Sequence, residues 1–264
     1  MIHTLTWFLV TYLIVGDHSS EGLAQLLDND CGRTKYTGSR VAGGQNTQMN
    51  SAPWMAYLYT TTKFICGGSL VHKSYILTAA HCFDKYIEVF VRLGDHMEYA
   101  ITDKYIYPRY KSYTYYDVAV ARLSKSVIYT DSVSPICVLL DQRWHAYVNT
   151  IPEFIVTGWG ATEKFNMSSI LQVVSVPQVD RATCSRIYRY RIDNTQICAG
   201  DAKHYMGKGD SGSPLGIWVQ LKGIQRFVQF GIVSYHIADY KSPAVFTNVL
   251  SYSRWISATI TTFN

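Results

Sequence analysis

The segment Gly209-Asp210-Ser211-Gly212-Ser213-Pro214 places a serine between glycines, directly after an aspartate. Glycines leave room for a substrate carbonyl to approach the hydroxyl and let neighbouring backbone N–H groups converge on one point, as acyl transfer requires. The same string is also an ordinary surface turn. Two upstream segments offer partners. Thr78-Ala79-Ala80-His81-Cys82 follows a strand-like run over 69–77, and Asp117 opens the apolar run Val118-Ala119-Val120-Ala121-Arg122-Leu123 behind Tyr115 and Tyr116. A carboxylate at the mouth of a buried strand costs on the order of several kcal/mol unless hydrogen-bonded, and a histidine can be its partner. A single histidine beside a cysteine is more often structural than catalytic.

The elements that must position these groups read as strands. From Val41 onward, short β-branched and aromatic runs are cut by Gly, Pro, Asn and Asp. Examples are Ile87 to Leu93, Glu153 to Thr157 and Phe230 to Ser234. Runs of this length predict antiparallel strands of a barrel or sandwich. One long helix is predicted, from about Ser251, with Tyr252, Trp255, Ile256, Thr259 and Ile260 on one face. The 264 residues suffice for one large all-β domain or two smaller ones. Hydrophobic residues at 48% against 16% charged exclude a disordered chain, and a diffuse net charge of +5 does not favour nucleic acid.

The apolar run Leu5 to Val15 breaks into Gly16-Asp17-His18-Ser19-Ser20. It suits a secretory signal peptide over residues 1–16 and is too short for a membrane span, although the residues before it carry His3 and no Lys or Arg. Residues 17–40 are polar and glycine-containing. The six cysteines, Cys31, Cys66, Cys82, Cys137, Cys184 and Cys198, suit a secreted chain with three bridges, and the sequence alone chooses among fifteen pairings no better than chance. No Cys-x-x-Cys pair occurs and His81-Cys82 has no partner cluster at zinc spacing, so neither metal nor cofactor is expected.

Taken together these segments resemble the trypsin–chymotrypsin family of serine endopeptidases. The resemblance runs from Arg40 to the end through Arg40-Val41-Ala42-Gly43-Gly44, Pro53-Trp54-Met55, Cys66-Gly67-Gly68-Ser69-Leu70, Thr78 to Cys82, Asp117-Val118-Ala119, Gly158-Trp159-Gly160, Ile197-Cys198-Ala199-Gly200 and Gly209 to Gly212. It implies an all-β fold of two antiparallel Greek-key barrels, roughly 41–147 and 148–264, with a C-terminal helix. It also implies Ser211 as nucleophile, His81 as general base, Asp117 as its orienting partner, and an oxyanion hole of the Gly209 and Ser211 N–H groups. Disulfides Cys31–Cys137, Cys66–Cys82 and Cys184–Cys198 are implied, the first tethering a pro-segment (17–40) to the catalytic domain. Cleavage after Arg40 would free the Val41 ammonium to pair with Asp210 and order the Ser211 loop. Polypeptide substrates, an activating trypsin-like protease and protease inhibitors are the implied partners of a secreted, extracellular monomer, with no membrane or nucleic acid among them.

The sequence departs from the family around the primary pocket, assigned to Tyr205, Met206, Lys208, Ser234, Tyr235, His236 and Ala244. Tyr205 stands where trypsin-like members carry an aspartate, and His236 and Ala244 where pocket walls are glycine. The expectation is a narrowed or self-filled pocket preferring small apolar residues, not Arg or Lys. A further bridge common in the family is missing at both positions, Gly207 and Tyr240. Ser213 replaces a glycine and crowds its neighbours. The short connection Gly94 to Tyr99, with only Asp95 and Glu98, predicts no calcium site. Tyr105 to Tyr116 holds six tyrosines, read either as a lining for substrate or as a strand and loop where tyrosine fits well. Arg181, Arg186, Arg189 and Arg191 form either a basic exosite or a solvated face, and Asn166-Met167-Ser168 is a glycosylation sequon. The alternative to an enzyme is a protease-like binding or regulatory protein with weak turnover and an obstructed pocket.

Overall fold

A computed structural model describes residues 25–34, 45–46, 50–160, 168–202, 206–207, 209–237 and 242–263. The first half contributes β1 (Gln45–Asn46), β2 (Met55–Tyr59), β3 (Phe64–His72), β4 (Tyr75–Thr78), β5 (Phe90–Leu93), β6 (Met97–Ile106) and β7 (Ala119–Leu123). Strands β2 to β7 close into an antiparallel barrel in the order β2-β3-β4-β7-β6-β5. The apolar run over 69–77 is not one strand. It folds at Lys73-Ser74 into the β3–β4 hairpin, with Ser69 opposite Leu77. Ile87, expected in a strand, is 93% exposed ahead of β5.

After α1 (Trp144–Val148) come β8 (Glu153–Gly158), β9 (Gln172–Val179), α2 (Arg181–Tyr188), β10 (Gln196–Ala199), β11 (Pro214–Leu221), β12 (Ile224–Tyr235), β13 (Ala244–Asn248) and α3 (Ser253–Phe263). The second sheet runs β1-β9-β10-β13-β12-β11-β8 and closes through β8–β9, so β8 to β13 form a second antiparallel barrel with β1 added at β9. Helix α2 was not expected from the sequence. Its start is fixed by Asp180, whose carboxylate accepts the Thr183 N–H at 2.9 Å, and it ends where Arg189 turns left-handed at φ 59°.

Apolar burial holds the barrels together. Trp54, 1% exposed, stacks on Phe227 of β12 at 4.8 Å between ring centroids and meets Trp218 of β11 edge-on. Beside them the buried Ser69 hydroxyl of β3 donates to Gln229 Oε1 of β12 at 2.7 Å. Helix α3 buries Ile256 and Ile260 in the core of the first barrel, and Trp255 meets Tyr107 edge-on at 5.2 Å. The implied disulfides Cys31–Cys137, Cys66–Cys82 and Cys184–Cys198 are all formed. Residues 25–34 lie docked on the body: Leu27 N–H donates to Val138 O at 3.0 Å, Phe227 N–H to Gly32 O at 2.9 Å, and the Arg226 guanidinium to Cys31 O at 2.6 Å. No helix among the described residues is long and apolar enough to cross a membrane.

Candidate active site

The end of β4 delivers His81. After Thr78 the chain enters a short 3-10 turn, Ala80–Phe83, and the Cys66–Cys82 bridge fastens that turn to β3. Asp117, just before β7, reaches across to it. Its Oδ1 accepts the His81 backbone N–H at 2.9 Å and its Oδ2 lies 2.7 Å from His81 Nδ1. Ser234 of β12 brings its hydroxyl to 2.5 Å from the same Oδ2 and 2.9 Å from Tyr113 O, and Thr247 of β13 donates to Asp117 O at 2.8 Å. Asp117 is 1% exposed, so the His81 and Ser234 donors replace the water that its carboxylate has lost. Burial pulls the His81 imidazole toward the neutral form. The hydrogen bond and charge of Asp117, with a further contribution from Asp84, outweigh that and leave its pKa above the ordinary histidine value.

The serine lies on a turn between the barrels. Gly67 of β3 donates its N–H to Ser211 O at 2.8 Å, and Thr78 Oγ1 donates to Gly67 O at 2.8 Å. On the other side Gly212 N–H donates to Val233 O at 2.8 Å and Val233 N–H to Ser213 O at 2.9 Å. The turn is thus clamped between β3 and β12. Among the described residues no hydrogen bond joins Ser211 Oγ to His81 Nε2, and neither the Gly209 nor the Ser211 N–H has an acceptor.

Asp210, beside the serine, is buried. Gly160 N–H donates to its Oδ1 and Gly207 N–H to its Oδ2, each at 2.8 Å. Burial raises its pKa to about 6, against the two backbone donors and a weaker pull from His236. The carboxylate fits only because Gly158 and Gly160 lack side chains: a Cβ on either would lie 2.1 Å from one of its oxygens. The Gly158-Trp159-Gly160 motif therefore forms a cradle for Asp210, a role that the sequence did not disclose.

The pocket residues divide. Met206, 3% exposed, and Ala244, 2% exposed, sit in the apolar core of the second barrel with Val233 and Phe246. Tyr235 is half-buried, its hydroxyl bonded by Tyr190 and by Gln196 Nε2, the latter at 3.1 Å. His236 is half-buried, its Nδ1 2.9 Å from Ile237 O. Ser234 belongs with the Asp117 cluster. Ser213 is fully buried with its hydroxyl unpartnered among the described residues, pressed over Gly67 where a Cβ would stand 2.1 Å from it. The expected residues Arg40, Val41, Asn166, Tyr205 and Lys208 lie outside the described residues, as do 1–24 and Tyr240. The tyrosine run splits. Tyr105 stacks on Phe263, and Tyr107 meets Tyr252 and Trp255, so both anchor the C-terminal helix. Tyr113 instead faces Tyr235, and the Tyr115 hydroxyl donates to Arg191 O at 3.1 Å. Of the arginines, Arg181 is engaged by Asn149 Oδ1 and Gln196 O, and Arg186 by Thr183.

Cys66, His81 and Cys82 place three potential metal-ligand atoms within 4.8 Å of one another. Both sulfurs are spent on their mutual disulfide, so neither is a thiolate available to a metal.

Comparison with known proteins gives a consistent result. A family model described as Trypsin matches residues 41–256. The chain is 31% identical over 282 residues to serine protease grass of Drosophila melanogaster, covering 92% of this chain and 74% of that one. It is 34% identical over 275 residues to phenoloxidase-activating enzyme 1 of Spodoptera litura, covering 89% and 71%. To the clotting factor G beta subunit of Tachypleus tridentatus it is 31% identical over 249 residues, covering 83% and 79%. A crystal structure of the Drosophila Grass clip serine protease of the Toll pathway matches with a TM-score of 0.77 at 30% identity, covering 89% of this chain and 75% of that one.

Proposed function

The chain belongs to the trypsin family of serine proteases, and on that premise we propose that it is a secreted endopeptidase using His81, Asp117 and Ser211, made as a zymogen and switched on by cleavage after Arg40. Ser211 Oγ attacks the scissile carbonyl while His81 Nε2 takes its proton. The tetrahedral oxyanion is held by the Gly209 and Ser211 N–H groups, each such donor being worth roughly 3–4 kcal/mol. His81 then protonates the leaving amine, and water reverses the sequence on the acyl-enzyme. The observation that carries the reading is the two-point grip of Asp117 on His81, which fixes the ring so that Nδ1 faces the carboxylate and Nε2 is left for the serine. The open Ser211–His81 pair is compatible with it, because such bonds tighten when substrate binds.

Asp210 supports the activation step. A buried carboxylate with a raised pKa and, among the described residues, only backbone donors is a ready acceptor for an inserted ammonium, and the Val41 N-terminus released after Arg40 is the candidate. Met206 and Ala244 in the core support a shallow primary pocket that takes small apolar side chains. The relatives' names, an activating enzyme, a clotting factor and a Toll-pathway protease, favour limited cleavage of another protein in a cascade. The test is to cut the purified chain with a trypsin-like protease and titrate with a fluorophosphonate. One equivalent should label Ser211, and none in Ser211→Ala, in His81→Ala or in uncut Arg40→Gln. Absence of labelling in the cut parent would sink the proposal, and a peptide-library profile dominated by Arg and Lys would sink the pocket assignment.

A further inference from the structure

We infer that Asp84, pinned by the Tyr110 hydroxyl, is a second positioning carboxylate for His81, holding negative charge beside the imidazole so that its protonated form is stabilised during proton transfer. The inference rests on the reading of His81 as the base.

The backbone puts Asp84 there. It caps the 3-10 turn Ala80–Phe83, and its N–H closes on His81 O at 3.3 Å. In a 3-10 turn, residues three apart eclipse one another, and Asp84 is three after His81. The side chain is exposed, so without a tie it would swing into solvent. Tyr110, from the connection between β6 and β7, supplies the tie: its hydroxyl donates to Asp84 Oδ2 at 2.7 Å while its own N–H is held by Tyr107 O at 2.9 Å. The Tyr110 phenol also feels the charge of Asp117, and burial together with the two carboxylates keeps it protonated and able to donate.

The need for a second carboxylate follows from how Asp117 is used. Its oxygens are shared among the His81 N–H, the imidazole and the Ser234 hydroxyl, so part of its charge serves groups other than the ring. The imidazole side chain is 20% exposed, and the charge of Asp84 adds to that of Asp117 in favouring its protonated form. Among the described residues the charges that act on it are Asp117 ahead of β7 and Asp84 on its own turn, the latter held by Tyr110. Of the lysines next to this turn, Lys104 of β6 is held by the carbonyls of Tyr86 and Ile87 over the Phe83 ring, Lys63 lies over Tyr86, and Lys85 is exposed. A neutral residue at 84 therefore leaves the imidazolium with less negative charge around it.

The experiment is an NMR titration of the His81 ring in the full-length chain carrying Asp84→Asn or Tyr110→Phe. It is paired with the pH dependence of inactivation by a small uncharged fluorophosphonate after cleavage at Arg40. Asp84→Asn should lower the His81 pKa by about 0.3–0.8 units at low salt, and the acid limb of inactivation should move down with it. The difference should shrink by more than about half near 1 M salt, as expected of an exposed charge. Tyr110→Phe should shift in the same direction by less, and Asp84→Glu should restore the parent titration. An unmoved His81 titration in folded Asp84→Asn, or a shift indifferent to salt, overturns the inference. Failure of the underlying reading looks different: His81→Ala would then keep its fluorophosphonate reactivity, whatever Asp84→Asn does to the ring.

Discussion

Replacing Asp210 with asparagine removes a charge while nearly preserving shape, so it isolates the cost of burying the carboxylate beneath Gly158-Trp159-Gly160. In the uncut chain burial lifts this group from its ordinary 3.8 to about 6. Roughly 2 units at 1.36 kcal/mol each make about 3 kcal/mol. The sign is set by where the proton sits. The folded state holds this proton more tightly than the unfolded state, so between about pH 4 and 6 folding takes up a proton and stability falls as pH rises. Above about pH 6 the full cost is present. Asparagine escapes it but can accept from only one of the Gly160 and Gly207 N–H groups, forfeiting about 1 kcal/mol. The uncut Asp210→Asn chain should therefore be more stable than the parent by about 1–2 kcal/mol at pH 7.5, and level or slightly less stable near pH 4. Cleavage after Arg40 should reverse the first result. With an ammonium paired to the carboxylate, the asparagine variant becomes the weaker by about 3–5 kcal/mol, since it strands a buried cation. Urea denaturation of cut and uncut proteins at the two pH values measures all four cases. An uncut variant less stable than its parent at pH 7.5 would refute the reasoning, because it would mean the carboxylate is already paired with a cation.

Two other substitutions address neighbouring groups. Ser213→Ala removes a fully buried hydroxyl without a partner among the described residues, and should raise stability by about 1 kcal/mol or more in urea denaturation; a loss would show that the hydroxyl is bonded. Ser234→Ala takes a donor from Asp117, and hydrogen bonds to charged groups are worth about 1.5–3 kcal/mol. If that loss falls on the transition state, inactivation of the cut enzyme by a fluorophosphonate should slow by about tenfold to a hundredfold, with the melting temperature lowered by only a few degrees. A parent-like rate would remove Ser234 from the Asp117 cluster.

The candidate site residues stand out because they lie in short strings whose composition is unusual: a serine among glycines, a histidine after a β-strand, an aspartate ahead of one. Three disulfides and two barrels followed from the same resemblance and are present. The boundaries were less legible where local pattern and tertiary fate differ. The apolar run over 69–77 hides a hairpin because Lys73-Ser74 carries neither Gly nor Pro. Helix α2 has a weak local signature because Arg, Thr and Ser dominate its first turns, leaving only the Asp180 cap as a signal. Contacts across the chain outside the family's motifs were not legible. Asp210 and Gly160 are 50 residues apart and Asp117 and Ser234 are 117 apart, so neither bond leaves a mark on any local string. The Tyr110–Asp84 bond, spanning 26 residues, is of the same kind.

These long-range bonds also explain why the site depends on both barrels. His81 and Asp117 belong to the first barrel and Ser211 to the second, yet Asp117 is fixed by Ser234 and Thr247 of the second, and Ser211 by Gly67 of the first. Each barrel thus holds a candidate site residue of the other. A small slide of one barrel against the other would lengthen all these bonds together, and Trp54 on Phe227 with Ser69 on Gln229 resists that slide at the interface. Asp210 joins the same system, because its carboxylate is gripped by Gly160, just beyond β8, while its carbonyl accepts the Ser213 N–H at 3.0 Å inside the nucleophile turn. A charge delivered to Asp210 therefore acts on a turn already clamped on both sides.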